Sequence, residues 1–188
     1  TLSGISPDTG PSKTDGITSS TIPVLSGKGE ALGTAIVYRD GSEVGRTTID
    51  AGGVWSLAIA RSGLADGTYE LTARVQDISG SISNSSSPLT VVIDTVAQIP
   101  AITDWRTDTN IIGDKVTSDN KPGLSGTAEA NSRVQILRNG SVVATVDADT
   151  KGAWKYDTSS SLTSGTYSFT ARMTDPAGNV SDLSSALV

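Results

Sequence analysis

Twenty carboxylates, no imidazole and no thiol set the chemical range of this 188-residue chain. Sixteen of the carboxylates are Asp and four are Glu. A merely solvated acidic surface would use Glu freely. Asp is short enough to bond the backbone of its own turn, or to ligate a hard cation such as Ca²⁺ with loop oxygens. The skew therefore puts the acidic groups in loops, where both fates are open. The lack of His removes the commonest general base and metal ligand, and the lack of Cys removes thiolate chemistry and disulfides. No spacing of Lys or Ser singles out a nucleophile–base pair, and no two carboxylates stand apart as a glycosidase pair. The expectation is a protein that is not an enzyme. A net charge of −6 makes a phosphate backbone an unsuitable partner, so no nucleic acid is expected. No apolar run reaches the ~18–20 residues that a membrane span needs, so no membrane insertion is expected. Asp147 and Asp149 begin like an EF-hand loop but lack its distal Glu, and read as a turn. Asn84, Asn139 and Asn179 open Asn-x-Ser sequons, which arise readily in a Ser-rich chain.

The elements that position these groups are written twice. Residues 67–81 read GTYELTARVQDISGS and residues 165–179 read GTYSFTARMTDPAGN, 98 residues apart. Pro122, Leu124, Ser125 and Gly126 likewise match Pro23, Leu25, Ser26 and Gly27. Glu129 matches Glu30, Arg138 matches Arg39, Trp154 matches Trp55 and Leu162 matches Leu64. Matches at nearly constant offset along the whole chain imply two domains, 1–95 and 96–188, with the boundary near Asp94–Val96. Gly, Ser, Thr and β-branched residues dominate, which favours short strands and turns over helices.

In the first copy, strand A falls around Leu2 and Ile5, and residues 8–18 (DTGPSKTDGIT) read as a loop. Strands B to G are expected over 23–27, 35–39, 44–49, 54–59, 68–75 and 88–93, with Asp40-Gly41 as a hairpin turn. Seven strands with turns every 8–12 residues predict an all-β fold of two tandem Ig-like seven-stranded β-sandwich domains in an elongated arrangement. The chain stops at SSALV, where strand G of the second copy should still be running. It is therefore read as a piece cut from a longer array.

Thr-Asp-Gly-Ile-Thr-Ser before a Pro-containing strand, Leu-Ser-Gly-x-x-Glu and a lone Trp after a Gly-rich turn carry a resemblance, together with Gly-Thr-Tyr…Thr-Asp-x-Ala-Gly-Asn-x-Ser. Over essentially the whole chain they resemble the bacterial Ig-like repeats of giant, type I-secreted adhesins of the biofilm-associated and RTX kind. The resemblance implies a structural extender on the bacterial cell surface or outside the cell, supporting adhesion and biofilm formation. In such proteins Ca²⁺ at domain junctions is thought to stiffen the stalk. Its partners would be neighbouring repeats of the same chain, with a host or surface ligand reached through other domains, and the segment itself would be a monomer. The RTX nonapeptide itself does not occur.

Sandwich topology then says which loops could share an ion. The B–C, D–E and F–G loops lie at one pole of each domain, and A–B, C–D and E–F at the other. A junction between the copies would collect Asp8 and Asp15 from the first A–B loop, Asp40 and Asp66 from nearby turns, and Asp94 from the linker. The second domain would add Glu129, Asp149, Asp175 and Asn179. The best ligands are Asp94, Asp175 and Asn179, with Glu129 and Asp15 next. Asp77 and Glu30 would face a preceding domain, and Asp108 and Asp114 a following one. Ser81 stands where the second copy has Asn179, which makes the first copy's site the poorer. The alternative for each Asp is a turn that satisfies its own backbone.

Trp55 and Trp154 are expected in the cores, and Tyr69 and Tyr167 as tyrosine corners. Trp105 aligns with Ile5 and is assigned either to strand A packing or to an interdomain contact. Two other functional readings are a glycan- or host-protein-binding module and an accessory domain of a secreted polysaccharide-degrading enzyme.

Overall fold

A computed structural model describes every residue except Ala60, Arg61, Thr107, Asn110 and Ile112. The chain divides into two compact units: Thr1–Thr95 with Pro176–Gly178, and Val96–Asp175 with Asn179–Val188. All of the regular structure among the described residues is β.

The first unit contains β1 (Leu2–Ser6), β2 (Ile17–Thr18), β3 (Val24–Lys28), β4 (Thr34–Arg39), β5 (Ser42–Thr48), β6 (Val54–Ala58), β7 (Gly67–Gln76) and β8 (Leu89–Ile93). One sheet runs β1-β3-β6 and the other β2-β8-β7-β4-β5. The core between them collects the inward alternate residues, among them Leu25, Val37, Trp55, Leu71, Val91 and Ile93. On β7 the alternation is direct, because Leu71 and Ala73 are buried while Glu70 and Arg74 are exposed.

One feature differs from the sequence reading. Ile17–Thr18, expected as loop, pairs parallel with Val92–Ile93. Two residues carry no periodicity, and their partner lies far along the chain, so nothing local announces this strand. As the Asp40-Gly41 turn predicts, β5 folds back on β4, at the edge of the larger sheet. Its cause is local. Asp40 and Gly41 have φ of 50° and 82°, and Asn139 and Gly140 have 49° and 79°. Positive φ at both central residues is the two-residue hairpin geometry that folds a strand back onto its neighbour.

The second unit contains β9 (Ala101–Trp105), β10 (Gly123–Thr127), β11 (Arg133–Arg138), β12 (Ser141–Asp147), β13 (Ala153–Asp157) and β14 (Phe169–Thr174), as sheets β13-β10-β9 and β12-β11-β14. Ile5 pairs with Leu25, and Trp105 pairs with Leu124. Trp105 is therefore the strand A counterpart of Ile5, and its ring meets Phe169 edge-on at 5.6 Å. Strand packing is thus its role within this unit.

The Leu-Ser-Gly…Trp spacing also has a geometric cause. Gly27 lies opposite Trp55, and Gly126 opposite Trp154, on paired strands. A Cβ on either glycine would overlap the indole and a backbone carbonyl, of Thr1 or Ala101 respectively. Both tryptophans are 2% exposed. The tyrosine corners form as expected: Tyr69 donates to the Ala65 carbonyl and Tyr167 to the Thr163 carbonyl, each at 2.9 Å.

Candidate metal centre

The second unit gathers its candidate ligands on loops that follow strands of opposite sheets. Glu129 lies between β10 and β11, Asp149 between β12 and β13, and Asp175 directly after β14. The Asn131 N–H donates to the Asp149 carbonyl at 3.1 Å, joining the first two loops. Glu129 and Asp175 bring one carboxylate oxygen each to within 4.8 Å. Asp175 is fully buried. Its two oxygens accept from Asn179, Oδ1 from the backbone N–H at 2.9 Å and Oδ2 from the side-chain amide at 2.8 Å. The Asp175 N–H in turn donates to the Asn179 carbonyl at 3.0 Å. Glu129 Oε1 accepts from the Gln98 N–H at 2.6 Å, which ties the start of the unit to the same loops.

This donor set fits a hard cation. Ca²⁺ takes oxygens at 2.3–2.6 Å, so two oxygens less than 4.8 Å apart can share one ion. Without compensation, two charges at that separation repel by about 3 kcal/mol or more at an effective dielectric near 20. Burying a carboxylate adds a desolvation cost.

The other candidates have hydrogen-bond partners of their own. Asp94 follows β8, and its N–H donates to the Thr18 carbonyl at 3.0 Å. Asp77, the counterpart of Asp175, takes three donors on Oδ1: the Ser79 N–H at 2.9 Å, the Ser79 hydroxyl at 2.7 Å and the Ser81 N–H at 2.8 Å. The Ser79 hydroxyl, with these amides, holds its carboxyl below the usual range. Asp149 Oδ1 accepts from the Ala153 and Lys151 amides at 2.9 and 2.8 Å, which lowers its carboxyl in the same way. Asp15 Oδ1 accepts from the Ile17 N–H at 3.1 Å.

Asp8 closes the A–B loop through the Gly16 N–H at 3.0 Å, while its Oδ1 is buried without a partner. Burial pushes this carboxyl up, and Asp15 pushes it further against the Gly16 bond. The second unit repeats the device. Asp108 accepts from the Gly113 N–H at 2.6 Å, Asp114 from the Val116 N–H at 2.9 Å, and Asp108 Oδ1 is again buried without a partner. The sequence reading paired Asp8 with Asp15, and Asp108 with Asp114, as candidate ligands; here each accepts a backbone N–H of its own loop.

Comparison with known proteins agrees with the fold. In solved structures the chain is similar to the human OSCAR ligand-binding domain, at 14% identity and TM-score 0.51, covering 98% of this chain and 95% of that one. It is also similar to the BSP domain of a biofilm-associated protein, at 22% identity and TM-score 0.37, with 91% of this chain and 28% of that one covered. A third likeness is to a Ca²⁺-stabilized adhesin with which an Antarctic bacterium binds ice, at 21% identity and TM-score 0.43, covering 98% and 46%. The chain thus spans less than half the length of either of these last two structures. No curated protein matches it. The sequence profile described as bacterial Ig-like domain matches twice, over residues 4–95 and 96–188. Those two matches take in nearly every residue, and the chain belongs to the bacterial Ig-like domain family, as two tandem copies.

Proposed function

We propose that these domains are extender repeats of a bacterial surface adhesin, located outside the cell and stiffened by Ca²⁺ at the passage from one repeat to the next. The ion would be held by Glu129 and Asp175 of the second domain, with Asn179 orienting Asp175 and Asp94 contributing from the end of the first. Asp94 is two residues from Val96, where the second unit begins. The observation that carries the reading is the Glu129–Asp175 pair, two oxygens within 4.8 Å with one residue fully buried. Tandem copies of one family, an acidic surface and the absence of cysteine agree with a secreted stalk. The ion does no bond chemistry. It neutralises the carboxylates and thereby favours one orientation: free Ca²⁺ at a hundredfold its Kd adds about 2.7 kcal/mol to the arrangement that binds it.

Small-angle scattering and calorimetry on the 188-residue chain test this, with Ca²⁺ and with chelator. Ca²⁺ should increase the maximum dimension or narrow its distribution and raise the melting temperature, and Asp175→Ala and Asp94→Ala should each abolish the response. Identical scattering and melting in Ca²⁺ and chelator would sink the proposal.

A further inference from the structure

The β11–β12 turn brings a side-chain amide, a backbone nitrogen and an oriented hydrogen-bond donor to one place. Asn139 is the only asparagine of the chain that is followed by glycine. Both turn residues are exposed, and a Cβ added to Gly140 would meet nothing within 4 Å. The Gly140 nitrogen is therefore unshielded, and among the described residues no acceptor takes its N–H. From the neighbouring segment the Ser168 N–H donates to Asn139 Oδ1 at 2.9 Å. This donor polarises the side-chain carbonyl and stands where negative charge would collect on Oδ1 during attack at Cγ.

The first unit shows how the turn looks with a carboxylate in place of the amide. Asp40 and Gly41 have φ of 50° and 82°, against 49° and 79° for Asn139 and Gly140. The Asp40 N–H donates to the Glu70 carbonyl at 3.0 Å, and Asp40 Oδ1 accepts from the Glu70 N–H at 3.3 Å. The Asn139 N–H donates in the same way to the Ser168 carbonyl, at 2.8 Å. One backbone and one pattern of bonds thus serve the amide in one copy and the carboxylate in the other. Asp at position 139 fits the turn.

We infer that Asn139 is a site of spontaneous amide hydrolysis, at which the folded chain converts its Asn-Gly turn into Asp-Gly. The Gly140 nitrogen gives its proton to solvent base and bonds to Asn139 Cγ, an attack favoured by adjacency in the chain. The carbonyl electron pair moves onto Oδ1, beside the Ser168 N–H. As the pair returns, the Cγ–Nδ2 bond breaks and Nδ2 leaves as ammonia with a proton from water. Water then adds to Cγ of the cyclic imide, the Cγ–N bond breaks and a proton returns to the Gly140 nitrogen. One water is consumed and one ammonia released, with no oxidant or cofactor. Opening the imide at the main-chain carbonyl would instead put Cβ into the backbone, as isoaspartate. Arg138 pairs with Ser141 on one side and Phe169 on the other. A two-residue loop closed by these pairs does not take an extra backbone atom, so the folded turn favours Asp. Each of the other asparagines precedes a residue whose side chain shields the nitrogen, and the Asn179 amide also donates to Asp175 Oδ2 at 2.8 Å. The inference is independent of Ca²⁺ and of the stalk role.

The test incubates the full chain in chelator at mildly alkaline pH. Proteolytic peptides are followed by mass spectrometry that separates Asp from isoaspartate. Asn139→Asp supplies the product standard, and a synthetic peptide of residues 137–142 (LRNGSV) the unfolded reference. Asn139 should convert at least tenfold faster than the exposed Asn84. Asp should predominate in the folded chain and isoaspartate in the peptide. The inference is overturned if Asn139 falls short of that margin over Asn84, and equally if isoaspartate predominates in the folded chain.

Discussion

At the level of single residues, contact geometry accounts for the repeated motifs. Gly126 is held by the indole of Trp154 on one side and the Ala101 carbonyl on the other, neither of which is the free end of a flexible chain. Gly126→Ala should therefore destabilise the second unit by about 1–3 kcal/mol or more, read from urea unfolding with an unchanged denaturant slope. Titration offers a second check. The Asp8 carboxyl is raised above its ordinary value by burial and by Asp15. Its contribution to stability is complete below about pH 4 and is lost as pH rises through the raised value. Asp8→Asn keeps an acceptor for the Gly16 N–H and removes that loss. In chelator, the variant's melting temperature should gain on the parent's as pH goes from about 4 to 7. Asp77 and Asp149 are lowered by hydrogen bonds from their own turns. Their contribution has the opposite sign: it is present at neutral pH and fades as pH falls through the lowered values. Asp149→Ala should cost stability at pH 7 and progressively less in acid, as followed by thermal melts over a pH series.

At the level of elements, the hairpins and corners carry the fold locally. Asn139 adopts φ of 49° at the β11–β12 turn, and its side-chain carbonyl accepts the Ser168 N–H at 2.9 Å. The turn thus binds its own hairpin to the neighbouring β14 segment. Asn139→Ala should cost about 1–2 kcal/mol through the left-handed backbone and the lost bond, whereas Asn139→Asp should cost less. Asp40 does the same for Glu70 in the first unit at 3.3 Å, which shows why an Asp is accepted there. These turns were legible because their chemistry is local. The edge position of β5 follows from them, since a two-residue loop leaves the returning strand nowhere else to pair.

At the level of the whole molecule, two families of core residues with separate sheets should unfold as two cooperative units in chelator. Gly27→Ala should lower only the first unit's transition, and Gly126→Ala only the second's. Differential scanning calorimetry distinguishes this from a single merged transition that moves with either substitution. Ca²⁺ at the proposed ligands should draw the two transitions together, because an ion held by residues of both domains links their stabilities.

The sequence alone determined the duplication, the all-β class, the strands that alternate, the buried tryptophans and the tyrosine corners. Each of these depends on periodicity or on spacing within one copy, and either can be read without knowing what lies across the sheet. It also determined the chemical inventory, acidic loops without His or Cys, which suits hard cations better than soft ones. Only the tertiary structure decided which acids meet. Glu129 and Asp175 are 46 residues apart in the chain, and they approach because their loops close the same end of a sandwich. Asp77 has the same sequence context as Asp175, yet its oxygen is taken by three donors of its own turn. The two-residue β2 was equally hidden, because a strand that short is defined only by the distant segment that pairs with it.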